Sequence, residues 1–335
     1  MKTIFALALV FTLMDLKAQR LNDDTQFNYS IVPSFGRDNA ESVNHQYYLS
    51  IGLFSERVGG ILGLELSSFY NENLQSMIGH QLSGLINVAR KKATGAQVAG
   101  LVNSAGSITG SQISGLYNTS GKTSGAQVAG LANITSELKG AQLSGVYNKA
   151  GKVRGVQIGL INFADSIDGG ATIGLINIVK KGGYQAIEVA GTEYVNVGVS
   201  FKSGTRKIYS IISVGYNFTP ESLFVTGLGV GRLIEINKNW MLSPELIWYT
   251  YSDTEFKNME NAQSTHLRVG LARKISERIV VSIVPSIYTS VKGNKEGVYG
   301  FKTNSISPFS TEISSDSKVE YGFGLGAGVS FLLSK

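Results

Sequence analysis

Polar and apolar positions recur through the middle of this chain with a period close to fifteen residues. Seven copies of the phrase G-x-Q-φ-(S/A)-G-L-x-N, with φ aliphatic, close on Asn87, Asn103, Asn118, Asn133, Asn148, Asn162 and Asn177. The successive spacings are 16, 15, 15, 15, 14 and 15 residues. A unit this small cannot bury a core alone, so a fixed short period predicts stacked copies of one element. Two apolar columns run through the copies: Leu82, Val98, Ile113, Val128, Leu143, Ile158 and Ile173, then Leu85, Leu101, Leu116, Leu131, Val146, Leu160 and Leu175. Strict alternation in the short copy from Val156 to Asn162 puts Val156, Ile158, Leu160 and Asn162 on one face. The longer copies add one small residue beside glycine, as a β-bulge would, so both apolar columns are expected to face inward with the asparagines. A weaker apolar column, Ile108, Leu138, Val153 and Ile167, follows the asparagines by five residues, with Lys92 and Thr123 as exceptions.

Two architectures suit residues 76–182. In a β-solenoid each copy is a coil, and seven coils rise roughly 34 Å at the inter-strand spacing. In one continuous antiparallel β-barrel each copy is a strand, and the natural period would be two strands. A single period near fifteen favours the solenoid. Identical amides in successive coils can hydrogen-bond as ladders. The asparagine column is therefore expected to be a structural ladder. The glutamine column, Gln81, Gln97, Gln112, Gln127, Gln142 and Gln157, has two readings: it satisfies backbone groups at the corners and stabilises the stack, or it points outward as an exposed binding column.

The flanks alternate differently. Val319, Tyr321, Phe323, Leu325, Ala327, Val329 and Phe331 alternate with Glu320, glycines and Ser330. Leu267, Val269 and Leu271 alternate with Arg268, Gly270 and Ala272. Large apolar residues on one face and small or polar ones on the other is the pattern of a transmembrane barrel, and of a soluble sheet capping the solenoid. Strands are expected near 27–36, 45–54 and 58–70, and over 194–202, 207–218, 222–235 and 239–251. The chain thus reads as all-β. Antiparallel strands in 19–75 are expected to complete a barrel of roughly ten strands formed by 183–335. Segments 252–264 and 292–318, rich in Ser, Thr, Asn, Lys and Glu, read as exposed loops.

Composition sharpens this. Glycine supplies 40 of 335 residues and charged residues only 16%, against roughly 25% in ordinary soluble domains. A basic start, an apolar run from Ile4 to Met14 and Ala18 before a plausible cut read as a signal peptide over 1–18. The chain has no cysteine, which removes disulfides and thiolate chemistry. A net charge of +6 without a basic aromatic stripe gives no reason to expect nucleic acid. His45, His80 and His266 share no motif spacing, and no metal, cofactor or catalytic constellation is expected. Gly121-Lys122-Thr123 lacks the spacing of a phosphate loop, and Gly227-Leu228-Gly229-Val230-Gly231 lies in an alternating strand.

The repeat series, closing as GVQIGLINFADSIDGGATIGLINIVKKGGY before FKSGTRKIYSIISVGYNF, resembles a family of bacterial surface-repeat-containing proteins. The resemblance implies an exported envelope protein at the outer membrane or cell surface and supplies no catalytic residues. Together these readings point to a structural or surface-binding role, with outer-membrane lipid and a surface glycan or another envelope protein as partners. An outer-membrane channel or transporter component is the alternative.

Overall fold

A computed structural model describes residues 27–33, 35–192, 194–218, 222–253, 262–293, 306–314 and 317–333. The expected signal peptide, 1–18, lies outside the described residues. Apart from one 3-10 turn at Asn39–Asn44, the regular structure is all strand. It comprises a solenoid-like parallel stack of about nine turns and a closed eight-strand antiparallel barrel. The chain divides into two compact units, one up to Gly155 and one from Val156. Strand Tyr147–Ile158 runs across that boundary.

In the first unit the copies are coils. Strands Ile86–Ala99, Val102–Ser114, Tyr117–Ala129 and Ala132–Ser144 pair in parallel. The register sets Gln97 beside Gln112 and Gln127, and Asn103 beside Asn118 and Asn133. Parallel, in-register pairing excludes the continuous antiparallel barrel. The residues before 76 belong to the same stack. Gln46–Gly52, Gly60–Ser67 and Met77–Ser83 pair in parallel, as do Ser55–Val58, Tyr70–Asn73 and the start of Ile86–Ala99. Only the edge pair Phe27–Val32 with Phe35–Gly36 is antiparallel. The expectation that 19–75 completes the barrel is therefore corrected. The reason is register: Ser50, Glu65 and Gln81 form one column, and Glu56, Asn71 and Asn87 another.

The inward face is also corrected. Gln, the following Ser or Ala, and Asn point inward, while the aliphatic residue after Gln and the leucine after Gly point outward. Alternation runs through Q-φ-(S/A), then Gly and Leu turn the corner on the outside, and Asn resumes the inner row. The apolar interior comes instead from the weaker column, with Ile108, Leu138 and Val153 buried, and from Ala89, Ala93, Ala105 and Ala150. The glycine two residues before each glutamine makes a second corner. Gly125 has φ +136°, and a Cβ there would lie 2.0 Å from the carbonyl oxygen of Gly110 in the coil before.

The second unit holds the last coils, with Ile161–Ile167 paired in parallel to Ile176–Lys181, and the barrel. Its eight strands are Tyr184–Gly191, Val197–Gly204, Tyr209–Asn217, Leu223–Gly231, Trp240–Asp253, Ala262–Lys274, Ile279–Gly293 and Ser317–Leu332. The last pairs with the first, Ala186 opposite Leu332 and Val189 opposite Val329, so the sheet closes without help from the N-terminal strands. Part of the expected loop 292–318 is strand, since Ile306–Ser314 pairs with Ser317–Leu332. Residues 254–261 and 294–305 lie outside the described residues.

Replacing Gly125 with alanine should therefore cost a strained φ and a backbone clash together, on the order of 2–3 kcal/mol. Gly169→Ala, at φ +76° with open space around its Cβ position, should cost about 1 kcal/mol. Urea melting followed by circular dichroism checks this; equal midpoints for the two variants would contradict the coil geometry.

Candidate functional site: amide ladders, an aliphatic edge and a filled lumen

The two amide columns are wholly buried, so the reading of Gln81, Gln97, Gln112, Gln127, Gln142 and Gln157 as an exposed binding column is corrected. Burial requires both side-chain N–H donors to be satisfied, and the coil corners provide the acceptors. Each Gln Nε2 from Gln97 to Gln142 donates to the Oε1 of the glutamine one coil before, at 2.7–2.8 Å. The second donor of Gln97, Gln112 and Gln142 meets the carbonyl seven residues on, as from Gln112 to Thr119 at 3.1 Å, while Gln127 turns back to Ser120 Oγ at 3.4 Å. The asparagines run the other way. Asn103 Nδ2 donates to Asn118 Oδ1 at 2.9 Å, and Asn118 to Asn133 at 3.0 Å. Their second donor caps the next coil's corner, from Asn103 to the Ile113 carbonyl and from Asn118 to that of Val128, both at 2.7 Å. The asparagine column is thus the structural ladder expected, and the glutamine column is a second one of opposite polarity.

Each ladder ends on a particular group. The glutamine ladder ends N-terminally on Glu65, whose Oε2 accepts from Gln81 Nε2 at 2.8 Å and from Asn73 Nδ2. Glu65 Oε1 is buried without a partner. Burial, only partly offset by those hydrogen bonds, pushes the Glu65 carboxyl up to about 8. Glu56, also buried, is raised by the same cause despite hydrogen bonds from Ser30, Asn28 and the Arg57 N–H. At the other end, in the second unit, Asn162 donates to Asn177 at 2.9 Å. Asn177 Nδ2 then donates to the barrel's Ser210 Oγ at 3.1 Å, while Ser203 Oγ accepts from the Asn177 N–H at 3.0 Å. The Ser203–Ser210 hairpin thereby caps the last coil. Sequence reading missed Glu65 and Asn71, yet the signal is present: Glu65 precedes Gln81, and Asn71 precedes Asn87, by the same 16 residues as the first repeat spacing.

The outward residues form a second feature. In the first unit one column runs Phe54, Phe69, Leu85, Leu101, Leu116, Leu131 and Val146, and a parallel one Leu82, Val98, Ile113, Val128 and Leu143. All twelve are between 37% and 50% exposed. The columns stand either side of the small (S/A)-G pair. No Asp, Glu, Lys or Arg occurs in any G-x-Q-φ-(S/A)-G-L-x-N copy; Arg90, Lys91, Lys92, Lys122, Glu137, Lys139, Lys152 and Arg154 all fall in the segments between copies.

The barrel has apolar residues outside and charge inside. Val199, Val214, Leu228, Trp248, Leu267, Ile287, Phe323 and Phe331 lie in exposed outward rows around the wall. Within, Lys202 Nζ lies 2.7 Å from Glu188 Oε2 and 2.6 Å from Glu245 Oε1. Arg268 lies 3.0 Å from Glu188 and donates from Nε to Glu245 at 2.7 Å. Tyr209 donates to Glu245 at 2.6 Å and Ser330 to Glu188 at 3.2 Å. Two acids and two bases pair with one another inside the barrel. His266 packs with its ring centroid 3.9 Å from that of Tyr194 and 5.1 Å from that of Tyr288, and its Nε2 is 2.7 Å from Ser264 Oγ. At the end where the chain enters, a cavity of about 400 Å³ opens beside Arg206, Lys238, Lys274 and Leu332 and ends on the Glu188–Lys202 pair.

His45, His80 and His266 are not brought together, and no cluster of three or more metal-ligating side chains occurs among the described residues. No family model matches the chain, and no curated protein does. A solved structure described as de novo designed TMB2.3, determined by solution NMR, is similar over 46% of this chain and 96% of its own. The identity is 12% and the TM-score 0.27, too low to carry anything further for this chain.

Because the Glu65 pKa is higher folded than unfolded, the unfolded chain gives up the proton first as pH rises. The stability contribution is therefore full below the ordinary value of 4.5 and is lost as pH climbs towards about 8. Thermal melting of the protein should fall across that window. Glu65→Gln, which keeps an acceptor for Gln81 but does not ionise, should flatten most of the slope, leaving the part due to Glu56. An unchanged slope in Glu65→Gln would refute the assignment.

Proposed function

We propose that this protein is an outer-membrane barrel that anchors a rigid coil stack, with a structural or interaction role and no transport pathway. The observation that carries the reading is the polarity of the barrel: uncharged aliphatic and aromatic rows outside, a charged and tyrosine-rich interior. A soluble barrel has the reverse cost, since an apolar wall needs a solvent other than water. Eight strands is the smallest size common in such barrels, and its interior holds side chains rather than water. The Glu188–Lys202–Glu245–Arg268 cluster fills that space, which removes the support for a channel.

Topology adds a direction. The chain enters at Tyr184 and leaves at Leu332 at one barrel end, which also carries the short turns after Gly204, Gly231 and Lys274. Asp253, Ala262, Gly293 and Ser317 end their strands at the opposite end. Membrane barrels keep short turns on the periplasmic side and longer loops outside. The coils leading into Tyr184 then lie on the periplasmic side. This modifies the surface location that resemblance to surface-repeat proteins implies, since the last coils, Ile161–Ile167 and Ile176–Lys181, do not face out. With both amide columns buried, the glycan-contacting glutamine face has no basis, which leaves lipid around the barrel and an envelope protein on the coils as partners.

The test is fractionation with topology. The protein should resist carbonate extraction, run faster unheated than boiled in detergent gels, and give no conductance steps in planar bilayers. An epitope inserted at Lys207, in the short turn after Gly204, should be labelled only after permeabilisation. Carbonate release without a heat shift would overturn the membrane reading, steady conductance would overturn the filled lumen, and labelling at Lys207 on intact cells would reverse the orientation.

A further inference from the structure

The coil stack presents one uncharged edge whose area and chemistry are those of an interface. We propose that this aliphatic edge is a homodimerisation surface, on which a second copy of this chain packs its own edge. The twelve half-exposed side chains of the two outward columns present on the order of 800 Å², above the ~300–600 Å² of the largest apolar patch on a typical monomer. That is also about the area each partner buries in a stable interface.

Charge selects the occupant. A strip that binds a membrane surface is flanked by Lys or Arg that reach the headgroups. Here the position before each glutamine is His80, Ala96, Ser111, Ala126 or Ala141, and the one after each outward leucine is equally uncharged. The basic residues sit in the segments between copies, away from the edge. A partner with acidic or basic docking residues would find nothing to pair with, whereas a second edge of the same composition would leave no charge buried.

Shape agrees with charge. The two columns repeat at the inter-strand spacing of about 4.8 Å, with a floor of Ser or Ala and Gly between them. A column of one copy fits the floor of the other, the interdigitation seen where identical β surfaces meet. Identical patches facing each other form an isologous, closed contact, so the assembly stops at two chains.

The absence of cysteine makes the test direct, and it is done in native membranes so that detergent cannot occupy the edge. Leu116→Cys lies in the middle of the edge, and Lys122→Cys lies in a charged segment off it. Under mild oxidant the full-length Leu116→Cys protein should give a two-chain band in non-reducing gels, and Lys122→Cys should not. Adding Leu101→Glu and Leu131→Glu to Leu116→Cys should abolish the band while leaving the heat-dependent gel shift, which reports a folded barrel. No band from Leu116→Cys, equal bands from both positions, or a band that survives the two glutamates would overturn the proposal. Labelling of Leu116→Cys by a lipid-soluble maleimide without cross-linking would also overturn it, and assign the edge to lipid.

Discussion

A buried primary amide must place two N–H donors and a carbonyl, and leaving any one unpaired costs about 1–3 kcal/mol. In a coil of fifteen residues there is little apolar volume to compensate, so the amides must be satisfied by the coil itself. In the middle coils they are: Gln112 and Asn103 each spend one donor on the same residue type in the adjacent coil and the other on a backbone carbonyl. The same bonds fix register, since a slip by one residue would carry every amide to the outside. Glycine at the positive-φ corner, the outward aliphatic edge and the fifteen-residue period all follow from keeping these two columns aligned.

The two ladders point in opposite directions, glutamines donating towards the N-terminus and asparagines towards the C-terminus. Chains of hydrogen bonds polarise one another, and opposed chains side by side cancel much of the resulting dipole. Each ladder then needs a terminator: an acid, Glu65, accepts at one end, and the barrel hairpin with Ser203 and Ser210 accepts at the other. The hairpin is thus both part of the barrel and the cap of the last coil. Solenoids need such caps because an unpaired terminal edge invites further pairing.

Both units bury polar side chains and carry exposed apolar rows, with a small apolar core of Ala89, Ile108, Leu138 and Val153 kept inside the coils, and charged residues make up only 16% of the chain. In the barrel the inner charges are paired, Lys202 and Arg268 with Glu188 and Glu245. Such a cluster is costly to desolvate and costly to break.

Much of this was legible in the sequence, and the limits are physical. The period identified the coils, and the alternation from Val319 to Phe331 identified the barrel wall. The asparagine ladder was readable because one residue type recurs at one spacing. The inner face was misassigned because Leu82 and Leu85 look like core, and no rule of periodicity says that glutamine will displace them; only the ladder makes that favourable. The two N-terminal coils were missed because Ser50 and Glu65 stand where later coils carry glutamine, although their spacing matches. The ion cluster was invisible because Glu188 and Arg268 are 80 residues apart and meet only once the barrel closes. The measurement that tests the central claim most directly is hydrogen exchange at the side-chain amides, followed by NMR on protein labelled with ¹⁵N at Asn and Gln. The account predicts that both Nε2 protons of Gln97 to Gln127 and both Nδ2 protons of Asn103 to Asn133 exchange only with opening of the stack. Exchange at the rate of free glutamine and asparagine would contradict it.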